Sequence, residues 1–284
     1  MRALATGALL LPLMANAIDV QGHRGTRGHL PENTLPAFSR AIAMGVDTLE
    51  LDVGVTRDGV VVVHHDRRLN PDTARGPDGQ WVKSPAPTIY SLSFEELRRY
   101  DVGRIRPGSE YASRFPQQQP VDGTRIPRLS DLFDATKSSK VRYNIEVKIL
   151  PKYADETLPP EPFARAVLAE VRKAGLEKRV TIQSFDFRIP KIVEREAPGV
   201  ATAYLTEARG PSLEQVKAEG ARTWSPDYRV LSKATVDEAH KLGMRVVVWT
   251  VNEPADIARM IDWGLDGIIS DYPDRVLQEL KKNQ

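Results

Sequence analysis

Glu50 and Asp52 stand two residues apart in the run TLELDV, so on a strand both carboxylates project to one face while Leu49, Leu51 and Val53 take the other. Glu146 and Lys148 repeat this spacing in NIEVKI, with Ile145, Val147 and Ile149 opposite. Buried carboxylates brought close together repel one another and raise one another's pKa unless a cation neutralises them. One divalent ion does so, and all-oxygen ligation by Glu50, Asp52 and Glu146 selects hard Mg2+ or Ca2+ over zinc. The competing reading is a structural network in which Lys148 and Arg24 neutralise the acids. It weakens once Glu146 joins Glu50 and Asp52.

Two histidines approach the same place. Asp58-Gly59 is a two-residue hairpin signal, which sets Val53 opposite His64 and Asp52 opposite His65, and turns His64 away from the acids. His23 reaches the same mouth from the first apolar run. Imidazole titrates near neutral pH, so His23 and His65 flanking a metal and an oxyanion suit a general base and a general acid. Arg24 offers a planar fork and Lys148 a point charge, the usual partners of a phosphate oxygen, which points to a phosphate ester as substrate. In Pro31-Glu32-Asn33-Thr34, Asn33 or Thr34 serves as a helix N-cap. Glu32 is left to anchor the histidine loop or to support the site from behind.

The elements that must position these groups repeat one phrase: a β-branched run, a polar junction, an amphipathic stretch, then glycine. Gly45, Gly175, Gly220, Gly243 and Gly264 each fall where a helix ends in a left-handed turn. One such helix starts near Pro162 and presents Phe163, Val167, Val171 and Ala174 to a sheet. Strand candidates are 18–22, 47–53, 60–64, 143–149, 180–185, 201–206, 222–225, 245–251 and 267–270. The third is the hairpin return, so eight parallel strands alternate with helices. That is the α/β pattern of a (β/α)8 TIM barrel, whose working residues sit at the carboxyl ends of strands. Residues 71–128 break the rhythm with Pro, Gly, Gln and Arg and one helical segment at 94–100, and read as a small insertion over the active-site face. Asp271-Tyr272-Pro273-Asp274 ends the last strand and either orients the mouth or caps the final helix.

Composition narrows the classes. The 284 residues carry 40 Lys and Arg against 38 Asp and Glu, a net charge of +2, which gives no global field for nucleic acid or an anionic membrane surface. Without cysteine there are no disulfides, no thiol nucleophile and no cysteine-ligated metal. Residues 1–17 place Arg2 before an apolar run and end in Ala15-Asn16-Ala17, the pattern of a signal peptide, with the barrel domain then occupying residues 18–284. Pro12 weakens the alternative of a buried first helix. No later apolar run reaches the ~18 residues that span a bilayer, so stable membrane insertion is not expected and the exported product is periplasmic or secreted.

His23-Arg24-Gly25, Pro31-Glu32-Asn33-Thr34, Glu50-Leu51-Asp52-Val53, the Thr56-Arg57-Asp58-Gly59 turn, His65-Asp66, Glu146-Val147-Lys148 and Trp249-Thr250-Val251-Asn252 closely resemble, in order and spacing, the glycerophosphodiester phosphodiesterase family. The resemblance implies a barrel of the phosphatidylinositol-phospholipase C type that cleaves glycerophosphodiesters to glycerol 3-phosphate and an alcohol. It also implies Glu50, Asp52 and Glu146 as metal ligands, His23 and His65 as the acid–base pair, Arg24 and Lys148 on the phosphate, and Trp249 along the substrate channel. The sequence departs from the commonest family pattern after His65-Asp66, where Leu69-Asn70-Pro71 replaces an Arg-Thr-Thr continuation, and at residues 101–119, which are longer and richer in arginine. Both departures bear on the leaving group. The rival readings are a phospholipase D-like phosphodiesterase on the same scaffold, acting on lysophospholipid or sphingomyelin, and a non-catalytic exported protein that only binds phosphodiesters.

Overall fold

The computed structural model describes residues 18–149 and 151–282; the expected leader, residues 1–17, lies outside the described residues. Nine strands are present among them: β1 (Asp19–Gly22), β2 (Thr48–Val55), β3 (Val61–Val63), β4 (Arg142–Val147), β5 (Val180–Ser184), β6 (Ala201–Thr206), β7 (Thr223–Pro226), β8 (Arg245–Val248) and β9 (Gly267–Ser270). Their order is β1-β9-β8-β7-β6-β5-β4-β2-β3, and β1 also pairs with β2. Eight parallel strands therefore close on themselves, and β3 hangs antiparallel on β2 outside the ring. The protein is a (β/α)8 barrel.

Helices follow the strands and stop where glycine permits the turn. Gly45, at φ 92°, ends the helix Leu35–Met44 in the left-handed conformation, its N–H reaching the carbonyls of Ala41 and Ile42. Gly175, Gly220, Gly243 and Gly264 share a positive φ at the ends of four further helices. The helix Pro160–Lys173 buries Phe163, Ala164, Val167, Leu168 and Val171 against the barrel. Ala174, expected on that stripe, lies at the exposed C-cap because the helix ends there.

Leu49, Leu51, Val53, Ile145 and Val147 pack outward into the helices in one continuous core. On β1, β2, β4 and β5 the alternate residues bond to one another inside the barrel, while Leu205 and Ile269 line the cleft from β6 and β9. Asn144 Nδ2 donates to Gln21 Oε1 (2.8 Å) and to Gln183 Oε1 (3.0 Å), and Gln183 Nε2 donates to Glu50 Oε1 (2.9 Å). These bonds form a polar network that rises to the acids at the mouth, with Asn144 Oδ1 buried and unpaired among the described residues.

The hairpin register differs from expectation by one residue. Val53 pairs with Val63, not His64, and His64 N donates to Asp52 O at 3.0 Å. Thr56 N donates to Val60 O, so Arg57-Asp58-Gly59 is a three-residue loop with Gly59 at φ 81° as its left-handed last member. Between β3 and β4 the chain builds a separate small core of Leu69, Ala74, Ala86, Ile89, Leu97, Val102 and Ile126 packed on Val62. It carries the short helices Phe94–Leu97 and Glu110–Arg114 and the turn Ile89–Ser91, where one longer helical segment was expected.

Candidate active site

At the carboxyl ends of the strands lies a cleft of about 950 Å3 bordered by His23, Arg24, Glu50, His65, Glu146, Lys148 and Trp249. Parallel pairing puts Asp52 level with Glu146, and the alternation of β2 keeps Glu50 on the same inner face. Ligand oxygens of Glu50, Asp52 and Glu146 all come within 4.8 Å of one another. The three are buried, and their charges are unequal. Burial, then Asp52 and Glu146, push Glu50 well above the usual carboxylate range, and burial also raises Glu146. For Asp52, burial is outweighed by Arg24, His65, Lys148 and a hydrogen bond from Asn33, which hold it well below that range.

Burial and mutual repulsion thus work against the charged forms of Glu50 and Glu146, while Arg24 and Lys148 favour that of Asp52. Glu146 Oε1 is buried without a hydrogen bond among the described residues, Lys148 Nζ standing 3.4 Å away. A donor set of carboxylate oxygens, one of them unsatisfied, fits a hard divalent ion.

Each histidine is held at Nδ1 by an aspartate. His23 follows β1, and its Nδ1 lies 2.6 Å from Asp271 Oδ1, leaving Nε2 3.9 Å from Glu50 Oε2. His65 follows β3, with Nδ1 2.6 Å from Asp66 Oδ1 and Nε2 4.0 Å from Asp52 Oδ1. Burial, with the charge of Arg27, lowers His23 to about 4 despite Asp271. The ring is therefore neutral near pH 7, its Nδ1–H committed to Asp271 and a lone pair at Nε2. Arg27 donates to both oxygens of Asp271 (2.7 and 3.1 Å) and Asn252 Nδ2 donates to Oδ2 at 2.7 Å.

Arg24 and Asn33 hold the loop between β1 and its helix in shape, both at positive φ (50° and 56°), a conformation that costs about 1–3 kcal/mol off glycine. In that shape Arg24 N donates to Glu50 Oε2 (3.0 Å), Nη1 donates to Glu32 Oε1 (2.6 Å) and Nε stands 3.2 Å from Asp52 Oδ2. Asn33 Nδ2 donates to Asp52 Oδ2 at 3.0 Å, while Thr34 caps the helix. Lys148 Nζ lies 3.4 Å from Asp52 Oδ1. The Trp249 ring stands edge-on to Phe185, centroids 5.5 Å apart, and its Nε1 donates to Ser225 O at 2.9 Å.

The structure thus gathers all nine residues singled out in the sequence within or directly behind one cleft. Sequence reasoning left the partners of these residues unassigned. Asp66 and Asp271 fix the two rings, and Asn33 braces Asp52 instead of capping a helix. An aspartate next to His65, and another at the carboxyl end of the last strand, were the available signals. His64 does not turn away: it also borders the cleft, and its buried Nε2 has no hydrogen bond.

Residues 23–275 match the Glycerophosphoryl diester phosphodiesterase family. The chain is 30% identical to the glycerophosphodiester phosphodiesterase of Bacillus subtilis (strain 168) over 99% of its own length and 91% of the relative's. It is also 30% identical to that of Caldanaerobacter subterraneus subsp. tengcongensis, over 93% and 98% of the two chains. The solved structure of a provisionally assigned glycerophosphoryl diester phosphodiesterase from Silicibacter pomeroyi DSS-3 superposes with a TM-score of 0.89 at 35% identity, covering 94% of each chain. With its barrel, its acid cluster and this likeness along nearly its whole length, the chain belongs to the glycerophosphodiester phosphodiesterase family and is a phosphoric diester hydrolase.

Proposed function

We propose that the chain cleaves glycerophosphodiesters to glycerol 3-phosphate and an alcohol with His23 and His65 as a proton-transferring pair. The observation that carries this reading is the paired arrangement at the mouth: each imidazole is fixed at Nδ1 by an aspartate and turns Nε2 toward the acid cluster. Arg24 and Lys148 bind the phosphoryl oxygens, one by its fork and one as a point charge. One histidine removes the proton of the nucleophile, and the other protonates the departing alkoxide at Nε2. Glu50, Asp52 and Glu146 would hold one Mg2+ or Ca2+ ion. When bound, it supplies positive charge to a phosphoryl oxygen and lets all three acids ionise. The nucleophile is water or the neighbouring glycerol hydroxyl, and a cyclic phosphate in quenched reactions distinguishes them.

The test is release of glycerol 3-phosphate from glycerophosphocholine by chelator-stripped protein, before and after adding Mg2+ or Ca2+. Activity returns with metal in the native chain, and falls on the order of 10^2–10^4 in His23→Ala or His65→Ala. Turnover within twofold of native in both variants would falsify the histidine assignment.

A second reading, cleavage of the same bond in a lysophospholipid, draws on the size of the cleft and on Leu69, Ile89, Tyr90 and Phe185 along its walls. Lysophosphatidylcholine assayed in parallel separates the two. We also propose export of the chain; N-terminal sequencing of protein recovered from outside the cytoplasm should then start at Ile18, and a start at Met1 would refute cleavage.

A further inference from the structure

The segment between β3 and β4 reaches the partner of Arg24 through a hydroxyl. Tyr111 sits on the short helix Glu110–Arg114 and donates its O–H to Glu32 Oε2. The other Glu32 oxygen accepts from Arg24 Nη1 at 2.6 Å. Burial, which favours the neutral acid, is outweighed at Glu32 by Arg24, Arg27, His65 and the Tyr111 hydroxyl, which together bring it to about 2.

Arg24 lies between two acids. Glu32 holds Nη1, while Asp52 stands 3.2 Å from Nε, an atom that is buried and makes no well-formed hydrogen bond. A guanidinium released by Glu32 would swing onto Asp52, where a two-pronged pair is the stronger contact. That movement would withdraw the fork from the cleft. Glu32 is the counterweight, and a carboxylate on a rotatable stem needs its second oxygen fixed to act as one.

Tyr111 is built to be immobile. Its ring lies 5.4 Å from that of Phe115, which sits beneath the Arg27 guanidinium at 4.7 Å. Gln118 Nε2 donates to Arg27 O at 2.7 Å, and Gln119 N donates to His29 O at 2.8 Å. Residues 111–119 therefore grip the loop that carries His23 and Arg24.

We propose that Tyr111, acting through Glu32, is a positioning residue that holds the Arg24 guanidinium off Asp52 and presents it to the phosphate. The inference rests on the reading of Arg24 as a phosphate-binding group. It gives the arginine-rich segment a part in holding the phosphate as well as in choosing the leaving group.

The experiment is a double-mutant cycle of Tyr111→Phe and Glu32→Ala in the full chain. It reads kcat and KM for glycerophosphocholine and the Kd for glycerol 3-phosphate by calorimetry. Tyr111→Phe alone should lower kcat/KM and weaken product binding on the order of tenfold. Glu32→Ala should cost at least as much, and adding Tyr111→Phe to it should change neither quantity more than about twofold. The exposed ion-pair variant Arg104→Ala, in the same segment, should leave both within twofold of native. Native kinetics and affinity in Tyr111→Phe overturn the proposal. So does an equal loss with and without Glu32, or a loss in Arg104→Ala as large as in Tyr111→Phe, because either would mean general loosening. A native chain that neither binds glycerol 3-phosphate nor turns over removes the phosphate reading itself, a failure distinct from activity that ignores Tyr111.

Discussion

Replacing Asp271 with asparagine isolates what holds His23 in its working state. The carboxylate accepts four contacts: His23 Nδ1 at 2.6 Å, Arg27 Nε at 2.7 Å, Arg27 Nη2 at 3.1 Å and Asn252 Nδ2 at 2.7 Å. An amide has one oxygen and one NH2 to offer in their place. With the oxygen toward His23, the NH2 confronts the N–H groups of Arg27 and Asn252; flipped, it confronts His23 and forces the proton to Nε2. Either arrangement also leaves the buried Arg27 without its counter-charge. A hydrogen bond to a charged group contributes about 1.5–3 kcal/mol, and each 1.36 kcal/mol is about tenfold in rate. Loss of the His23 contact alone is therefore about 10–150-fold in kcat, and the wrong tautomer deepens it. KM should stay within about threefold, because Arg24 and Lys148, the proposed phosphate-binding groups, are held by Glu32, Asp52 and Glu146 rather than by Asp271. Steady-state kinetics on glycerophosphocholine, with urea unfolding to verify that the variant is folded, make the comparison. A folded Asp271→Asn protein whose kcat lies within about threefold of native would refute the tautomer argument.

In the metal-free chain His23 and Glu32 each lose a stabilising contribution on acidification, against the opposite slope of Glu50 and Glu146, whose raised pKa values favour the folded chain as pH falls. His23 has a folded pKa of about 4 against 6.5, so its contribution is complete above pH 6.5 and is lost as pH falls toward 4, about 3 kcal/mol in all. Glu32, lowered from 4.5 to about 2, contributes fully above pH 4.5 and loses that contribution as pH falls toward 2. Urea midpoints measured across pH 3–7 should show the upper slope flatten in His23→Asn, and an unchanged slope would contradict the assignment. Glu50→Gln removes one oxygen anion from the acid cluster, and calorimetric titration with Mg2+ and Ca2+ should show an affinity loss of about 10–100-fold or more. Phe163→Ala empties a fully buried site between helix and barrel, and should cost about 3–5 kcal/mol in urea unfolding with KM unchanged.

The strands and the inward acids were legible in the sequence because their signals are local. Period-two alternation around Glu50, Asp52 and Glu146 fixes their face, and glycine after each amphipathic stretch marks where helices end. The hairpin register was not, since Asp58-Gly59 is compatible with a two- or a three-residue loop and only the Thr56–Val60 pairing decides between them. His65 still reaches the mouth, because it lies beyond the last paired residue of β3, where the backbone is free to turn. The side chains that hold the site are the least legible. Asp271 lies 248 residues from His23 and Tyr111 lies 79 from Glu32, distances over which no spacing rule operates. Polarity inside the barrel was likewise hidden, as an alternating Gln or Asn reads as solvent-facing until the ring is seen to close.

The bond between His23 and Asp271 joins the first strand's end to the last one's, and it makes the enzyme a late product of its own synthesis. A chain interrupted before β9 already contains the acids, both histidines, Arg24 and Lys148. It nevertheless leaves β1 with an open edge, because β9 is its partner over all four residues, and leaves His23 without the group that fixes its proton. Truncated chains should therefore be silent rather than partly active. A nascent polypeptide would acquire hydrolytic capacity in one step, when its C-terminal strand docks.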